Sequence, residues 1–334
     1  MKILAIRLAR LGDVILLFPA LGLLKAAFPD ARVTFLTGHR CAPLAELCPH
    51  IDEVIPVDRV AMRDGSAVKT IREMIGLVRD IRQRRFDLVV DFHSFRETNL
   101  LAWFSGASLR FGLKRYKKAY LKFCFNRPPV LEDKSLHVAA MFRRVVEGIA
   151  DQTGVNLPDA QNTALLIPNA LRTWAAQTAA AGPRLGLYVD APVPERVWPP
   201  EHFAQVADVA IEKLGAQVVV LSGEAGAGLS ERLQNASRYH SRLSVFTDLT
   251  APRLAAMIAS CRLLVSNDTG PMHLGPAVGV PTLGLFSVGY PEHFRPTGPA
   301  DRYLRGNPIQ CIEVNEVIAA VGEMWATVDR DLRR

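Results

Sequence analysis

The stretch LLVSNDTGPMHLGPAVGVPTLGLFS, residues 263–287, constrains the fold more than any other part of the chain. An apolar run breaks at Ser266 into Asn, Asp, Thr, Gly, Pro, Met and His, then resumes at Val280. Two strand-like runs around a short helical piece make a βαβ unit, the crossover that parallel strands need. The polar cluster then sits at the carboxyl end of the first strand, where open α/β sheets bind their ligands.

The same alternation runs through the whole chain. KILAIRL, ARVTFLTG, EVIPVD and DLVVDFH read as strands, separated by ILLFPALGLLKAAFP and AVKTIREMIGLVRDIRQRRF at helical spacing. After an irregular stretch at 151–183 a second series begins with RLGLYV, PEHFAQVADVAIEKLG and QVVVLSG, and CIEVNEVIAAVGEMWATV closes it as an amphipathic helix. A chain of 334 residues is long for one core. The expectation is an α/β protein of two doubly wound, Rossmann-like domains, 1–160 and 161–334, facing each other across a cleft.

Charge separates the two halves. Residues 1–150 hold 25 Lys and Arg against 15 Asp and Glu, a balance of +10, whereas the remainder of the chain is at −3. A basic first half points to an anionic partner, and nucleic acid, an acidic glycolipid or a membrane surface would each satisfy it. The densest run, RFGLKRYKKAYLKF, is either a solvated helix face or a contact for phosphates and carboxylates. Arg7, Arg10 and Asp13 interrupt the leader-like N-terminus, and the uncharged run after them is too short to span a bilayer. Five scattered cysteines without metal-ligand spacing suit reduced thiols in a cytoplasmic chain.

Three places carry candidate chemistry. In SNDTGPMH, Asp268 and Thr269 are capping types, Gly270 lets backbone approach a ligand, and Pro271 suits a first helical turn. His273 lies one turn further in. The free N–H groups of such a helix start suit a pyrophosphate, although an ordinary capped helix has the same residues. In RLGDV, Asp13 follows the first strand, a position suited to a general base and equally to a helix N-cap. In LSGEAGAGLSERL, Gly226 and Gly228 resemble part of a dinucleotide fingerprint, but Glu231 stands at the third glycine position. A ribose contact from Glu224 is the sharper reading there. No metal site stands out, so a diphosphate must be met by backbone N–H groups and cations such as Arg196.

RLGDVILLFPAL, RFDLVVDFHSFRETNLLAWFSGASLRFGL, RVWPPEHFAQVA and SNDTGPMHLGPAVGVPTLGLF occur in this order. Together they resemble glycosyltransferase family 9, the ADP-heptose:lipopolysaccharide heptosyltransferases, over nearly the whole chain. The resemblance implies the GT-B arrangement, with a metal-independent, inverting transfer that uses no cofactor beyond its nucleotide-sugar substrate. It implies acceptor binding on the first domain and donor binding on the second. By matching motifs, Asp13 falls on the catalytic base, and Asp268, Thr269, Gly270, Pro271 and His273 fall on the donor diphosphate loop. Arg196 stands where the family usually has Lys, and Pro276 where it usually has Ala. The acceptor would be an anionic inner-core glycolipid rather than nucleic acid, met by Arg10, Lys114, Arg115, Lys117 and Lys118. The enzyme would then be cytoplasmic, with peripheral contact at the inner membrane. Two alternatives remain open: a nucleotide-sugar 2-epimerase of the same architecture, and a family member using another sugar nucleotide and acceptor.

Overall fold

Strands buried on both faces read as continuous apolar runs, and this chain is built on such strands. Ile3, Leu4, Ala5 and Ile6 are all buried in the first strand, and Val218 to Leu221 in a later one. The computed structural model describes residues 1–58, 67–158 and 164–332. The chain divides into two compact units, Met1–Thr163 and Ala164–Arg334. The expected junction at 160/161 lies outside the described residues.

The first unit has strands β1 (Lys2–Arg7), β2 (Arg32–Gly38), β3 (Glu53–Val57), β4 (Leu88–Asp91), β5 (Leu109–Lys114) and β6 (Val130–Leu131). Its helices are α1 (Leu11–Ile15), α2 (Phe18–Ala27), α3 (Ala42–Ala45), α4 (Ala67–Arg84), α5 (Arg96–Phe104) and α6 (Val138–Thr153). The sheet order is β3-β2-β1-β4-β5-β6, and every described pairing is parallel. Chain direction across the sheet reverses between β1 and β4, where Ile3 pairs with Leu88 and Ile6 with Asp91. That switch point opens a crevice at the strands' carboxyl ends. Leu4, Ile6, Leu36 and Val89 form one core with Ile81 of α4 and Leu101 of α5.

The second unit repeats the plan with β7 (Arg184–Tyr188), β8 (Gln217–Ser222), β9 (Leu243–Thr247), β10 (Leu263–Asn267), β11 (Thr282–Phe286) and β12 (Arg302–Arg305). Helices α7 (Asn169–Thr178), α8 (Pro200–Leu214), α9 (Ala227–Ala236), α10 (Ala251–Ala259), α11 (Leu274–Ala277), α12 (Pro291–Phe294) and α13 (Val314–Leu332) surround it. The order β12-β11-β10-β7-β8-β9 puts the switch point between β7 and β10. Leu185, Leu187, Val218, Val220 and Val265 pack with Trp198, Phe203 and Trp325 in its core. Arg184 closes the end of α7: its guanidinium donates to the carbonyls of Ala175, Ala176, Ala179 and Ala180 at 2.9–3.2 Å. Those carbonyls have no partner inside the helix, so a cation there serves as the cap.

Two local expectations are corrected. The basic segment forms no helix: Tyr116 and Lys117 make a turn, with Lys117 at φ 54°, and a 3-10 turn follows at Lys122–Cys124. Asn99, buried on α5, accepts a hydrogen bond from the backbone N–H of Leu121 at 2.9 Å, so a tertiary contact sets that path. The expected helix start at 269–273 is a 3-10 turn, Gly270–His273, followed by the single α turn of α11. Pro276 has no N–H to donate back to Met272, which interrupts the α-helical ladder within its first turns.

Candidate active site

In the first unit, β1 delivers Arg7 to the switch point at its last position. The guanidinium is buried, donates to Asp13 Oδ1 at 2.9 Å and to the Phe92 carbonyl at 2.8 Å, and lies 4.8 Å from the Phe142 ring centre. Burial pushes the Arg7 pKa below its ordinary value, Asp13 opposes that shift, and Arg115 adds to it. The chain then passes Arg10, extended at the N-cap position, into α1, where Asp13 falls in the first turn. Asp13 is therefore no N-cap. Its carboxylate is a third exposed, held through Oδ1, and Oδ2 has no hydrogen-bonding partner among the described residues.

The end of β4 forms the opposite wall. Asp91 is fully buried, and its Oδ1 accepts the N–H groups of His93 and Ser94 at 2.9 and 2.8 Å. Its Oδ2 accepts from the Asn99 side chain at 2.7 Å. Burial pushes the Asp91 pKa up, and those donors oppose the shift. Ser94 is held at φ 57°, a left-handed conformation that a non-glycine residue keeps only when its surroundings enforce it. The turn aims His93 and Phe95 into a cavity of about 800 Å³ that also contains Arg7, Arg10, Asp13, His39, Arg40, Asp58 and Arg115. Arg115 reaches it over the Phe95 ring, 5.7 Å away, and pairs with Glu132 at 3.4 Å.

Of the acceptor-side candidates, Arg10 and Arg115 share this cavity with Asp13, whereas Lys114, Lys117 and Lys118 lie outside its lining. Lys117 sits over the Tyr116 ring instead. Arg7, His39, Arg40 and His93 were not singled out from the sequence. Arg7 carried a usable signal, a lone charge at the last position of an apolar strand; the others follow from topology.

In the second unit the candidates gather at the carboxyl ends of β7, β8 and β10. Buried Asn267 fastens the loop after β7, donating to the Val189 carbonyl at 2.8 Å and accepting from Trp198 N–H at 3.1 Å. The Ser287 hydroxyl donates to the Glu195 carbonyl in the same loop. Arg196, thus positioned, pairs with buried Asp268 at 3.1 Å. Burial raises the Asp268 pKa and Arg196 opposes the shift. Asp268 therefore binds a cation rather than capping a helix, and Thr269 at the N-cap position makes no side-chain cap bond. Gly289 leaves room for this carboxylate, because a Cβ there would fall 2.0 Å from Asp268 Oδ2. Pro271 and His273 are buried, and Gly270 is half-buried. Glu224 is exposed in a 3-10 turn after β8. The short turn at 270–277 supplies only a small helix dipole, so Arg196 is the principal positive charge of this group. Among the described residues, no three His, Cys, Asp or Glu side chains are grouped to hold a metal ion, and no helix is long and apolar enough to cross a membrane.

Comparison with known proteins agrees with this architecture. Residues 74–317 match the profile of glycosyltransferase family 9 (heptosyltransferase). The chain is 25% identical to lipopolysaccharide heptosyltransferase 2 of Escherichia coli strain K12, over 91% of this chain and 88% of that one. It superposes on the crystal structure of a family 9 glycosyl transferase from Veillonella parvula with a TM-score of 0.85 and 25% identity, covering 98% and 97% of the two chains. For the E. coli ADP-heptose lps heptosyltransferase II structure the TM-score is 0.82 at 19% identity, covering 98% of this chain and 100% of that one, which shows a shared fold. With two Rossmann-like units of the GT-B type and the family profile spanning most of both, the chain is a glycosyltransferase and belongs to family 9, the heptosyltransferase family.

Proposed function

We propose that the protein transfers a heptose, from ADP-heptose or a closely related nucleoside-diphosphate sugar, to an inner-core lipopolysaccharide acceptor with inversion at the anomeric carbon. The observation that carries this reading is the Arg7–Asp13 pair, which presents one free carboxylate oxygen to a cation-lined cavity. An acceptor hydroxyl attacks the anomeric carbon, and the bond from that carbon to the diphosphate oxygen breaks. The hydroxyl proton passes to Asp13 Oδ2, and the nucleoside diphosphate leaves with the bonding pair. Orientation and proton removal by one placed carboxylate are together sufficient reason for its position.

Arg10 and Arg115 receive the acceptor's phosphates and carboxylates, with Lys114, Lys117 and Lys118 adding attraction around them. Arg196, His273 and the backbone N–H groups of Thr269 and Gly270 hold the diphosphate, with Pro271 shaping the turn. Asp268 fixes Arg196, and Glu224 meets the ribose. Arg196 presents a fork of N–H donors, which suits paired phosphate oxygens better than a lysine point charge does. The reaction needs no metal ion or cofactor on this reading, and it takes place at the cytoplasmic face of the inner membrane.

The test is a transfer assay with purified protein, ADP-heptose and a truncated lipopolysaccharide acceptor, in EDTA and in magnesium. Equal release of ADP and glycosylated acceptor under both conditions is the expected result. Conversion of donor without acceptor would replace the transferase reading by an isomerase. Activity lost in EDTA and restored by magnesium would overturn the metal-free mechanism.

A further inference from the structure

Helix α5 begins at the Asp13 cavity and ends in a surface patch that the transfer reaction does not use. Phe95, at its N-cap, lines the cavity, while Trp103 and Phe104, at its last turn, are 43% and 39% exposed. Phe123 stands beside them at 62% exposed, with its ring 5.7 Å from Trp103 and nearly perpendicular to it. Trp103 and Phe104 are themselves 5.0 Å apart. Three adjoining exposed aromatic rings form the kind of apolar patch that marks a binding surface.

The patch is held in place from beneath. Cys124 and Phe125, which follow Phe123, are buried in the core, and Tyr120 stacks on Phe125 at 4.8 Å. The 3-10 turn is closed by Cys124 N–H to the Leu121 carbonyl and Phe125 N–H to the Lys122 carbonyl. Phe123 is therefore fixed outward by its neighbours' packing. Charge then points to what it faces: residues 116–131 hold no Asp or Glu, and Lys122 and Arg127 are the cations nearest Phe123 in sequence. Lys122 and Arg127, flanking Phe123, are exposed.

We propose that Trp103, Phe104 and Phe123, with Lys122 and Arg127, form a docking surface for an anionic phospholipid bilayer. Aromatic rings settle at the headgroup level, and cations near them gain from the negative surface potential. The nine residues of α5 span roughly 13 Å at 1.5 Å per residue. A bilayer engaging the patch would thus bring a lipid-anchored acceptor within about that distance of the cavity wall. This function for the surface rests on the reading of a glycolipid acceptor; binding to lipid is testable without it.

Trp103 supplies the probe. Trp198 and Trp325 are buried and Trp174 is half-buried, so bilayer contact changes Trp103 first. The full-length protein should sediment with phosphatidylethanolamine–phosphatidylglycerol vesicles, its fluorescence quenched by brominated acyl chains, and only weakly with phosphatidylcholine vesicles. Trp103→Ser with Phe123→Ser, or Lys122→Ser with Arg127→Ser, should each lower partitioning roughly tenfold, the charge pair in a salt-dependent way. Both double variants should melt like the parent and keep its kcat/KM on a delipidated, water-soluble acceptor, while losing activity on vesicle-embedded acceptor. Absence of vesicle binding, or binding unchanged in the variants, overturns the proposal. A change in monomer–dimer equilibrium in the aromatic variant without a change in vesicle binding would assign the patch to a second copy of the chain. Vesicle binding without transfer to any acceptor would instead fail the functional reading and leave the surface standing.

Discussion

Arg7 holds Asp13 by one carboxylate oxygen. A buried guanidinium is costly unless its charge and donors are met; here a carboxylate and a carbonyl take its two terminal nitrogens and an aromatic face lies against it, while the buried Nε has no hydrogen-bond partner among the described residues. The same arrangement holds Asp13 through Oδ1 and leaves Oδ2 available. If Arg7 works through Asp13, the two residues must be energetically coupled. Arg7→Met should lower turnover with donor affinity nearly unchanged, yet cost little more in an Asp13→Asn background, a coupling of about 1–3 kcal/mol. Kinetics of the four proteins of that cycle measure it, and fully multiplicative losses would mean that Arg7 acts on the acceptor independently. Asp13 was legible as a candidate from its place just after the first strand, where base and helix N-cap stood equally open, and the structure puts Arg10 at the N-cap instead. Arg7 was visible only as an interruption of an apolar run, since its burial and its partner Phe92 depend on β4 lying beside β1. Asp268 and Arg196 were each legible as candidates, but their mutual pairing was not, being a contact across 72 positions of sequence.

At the scale of elements, the segment 268–282 shows how closely the Asp268–His273 turn is packed. A Cβ on Gly275 would fall 1.9 Å from Thr282 Oγ1, and Val280 N–H bonds back to the Gly275 carbonyl at 2.8 Å. Gly275→Ala should therefore cost about 1–3 kcal/mol, as overpacking does. It should also weaken nucleoside-diphosphate binding, because the Asp268–His273 turn precedes it directly. Adding Thr282→Ala, which removes the colliding oxygen, should recover part of the lost stability; thermal unfolding of the two variants checks both statements. The buried strands here were legible, since double burial leaves only apolar residues in them. The edge strands β6, β9 and β12 were not, because short edges carrying polar residues such as RYLR lack that pattern. The path of the basic segment was not legible either. Its lysines suit several conformations, and the contact that chooses one comes from Asn99 on another element.

At the scale of the whole molecule, the proposed reading gives the acceptor and the donor to different compact units. The basic first unit holds the cation-lined Asp13 cavity, and the second unit, with 15 Lys and Arg against 16 Asp and Glu, carries Arg196 and the 268–273 turn at its own switch point. Both sheets reverse at the same place in their order, β1/β4 and β7/β10, so each site lies where the topology leaves a crevice. That placement was legible from the alternation of strands and helices, and the charge division from composition. On that reading donor binding reports on one unit and proton removal on the other, which makes the central claim directly measurable. The decisive measurement is Asp13→Asn, with ADP affinity taken by calorimetry and kcat by acceptor glycosylation. General-base loss predicts an unchanged ADP affinity with turnover lowered roughly 10²–10⁴-fold. Near-normal turnover at unchanged affinity would contradict the assignment of Asp13 as the base.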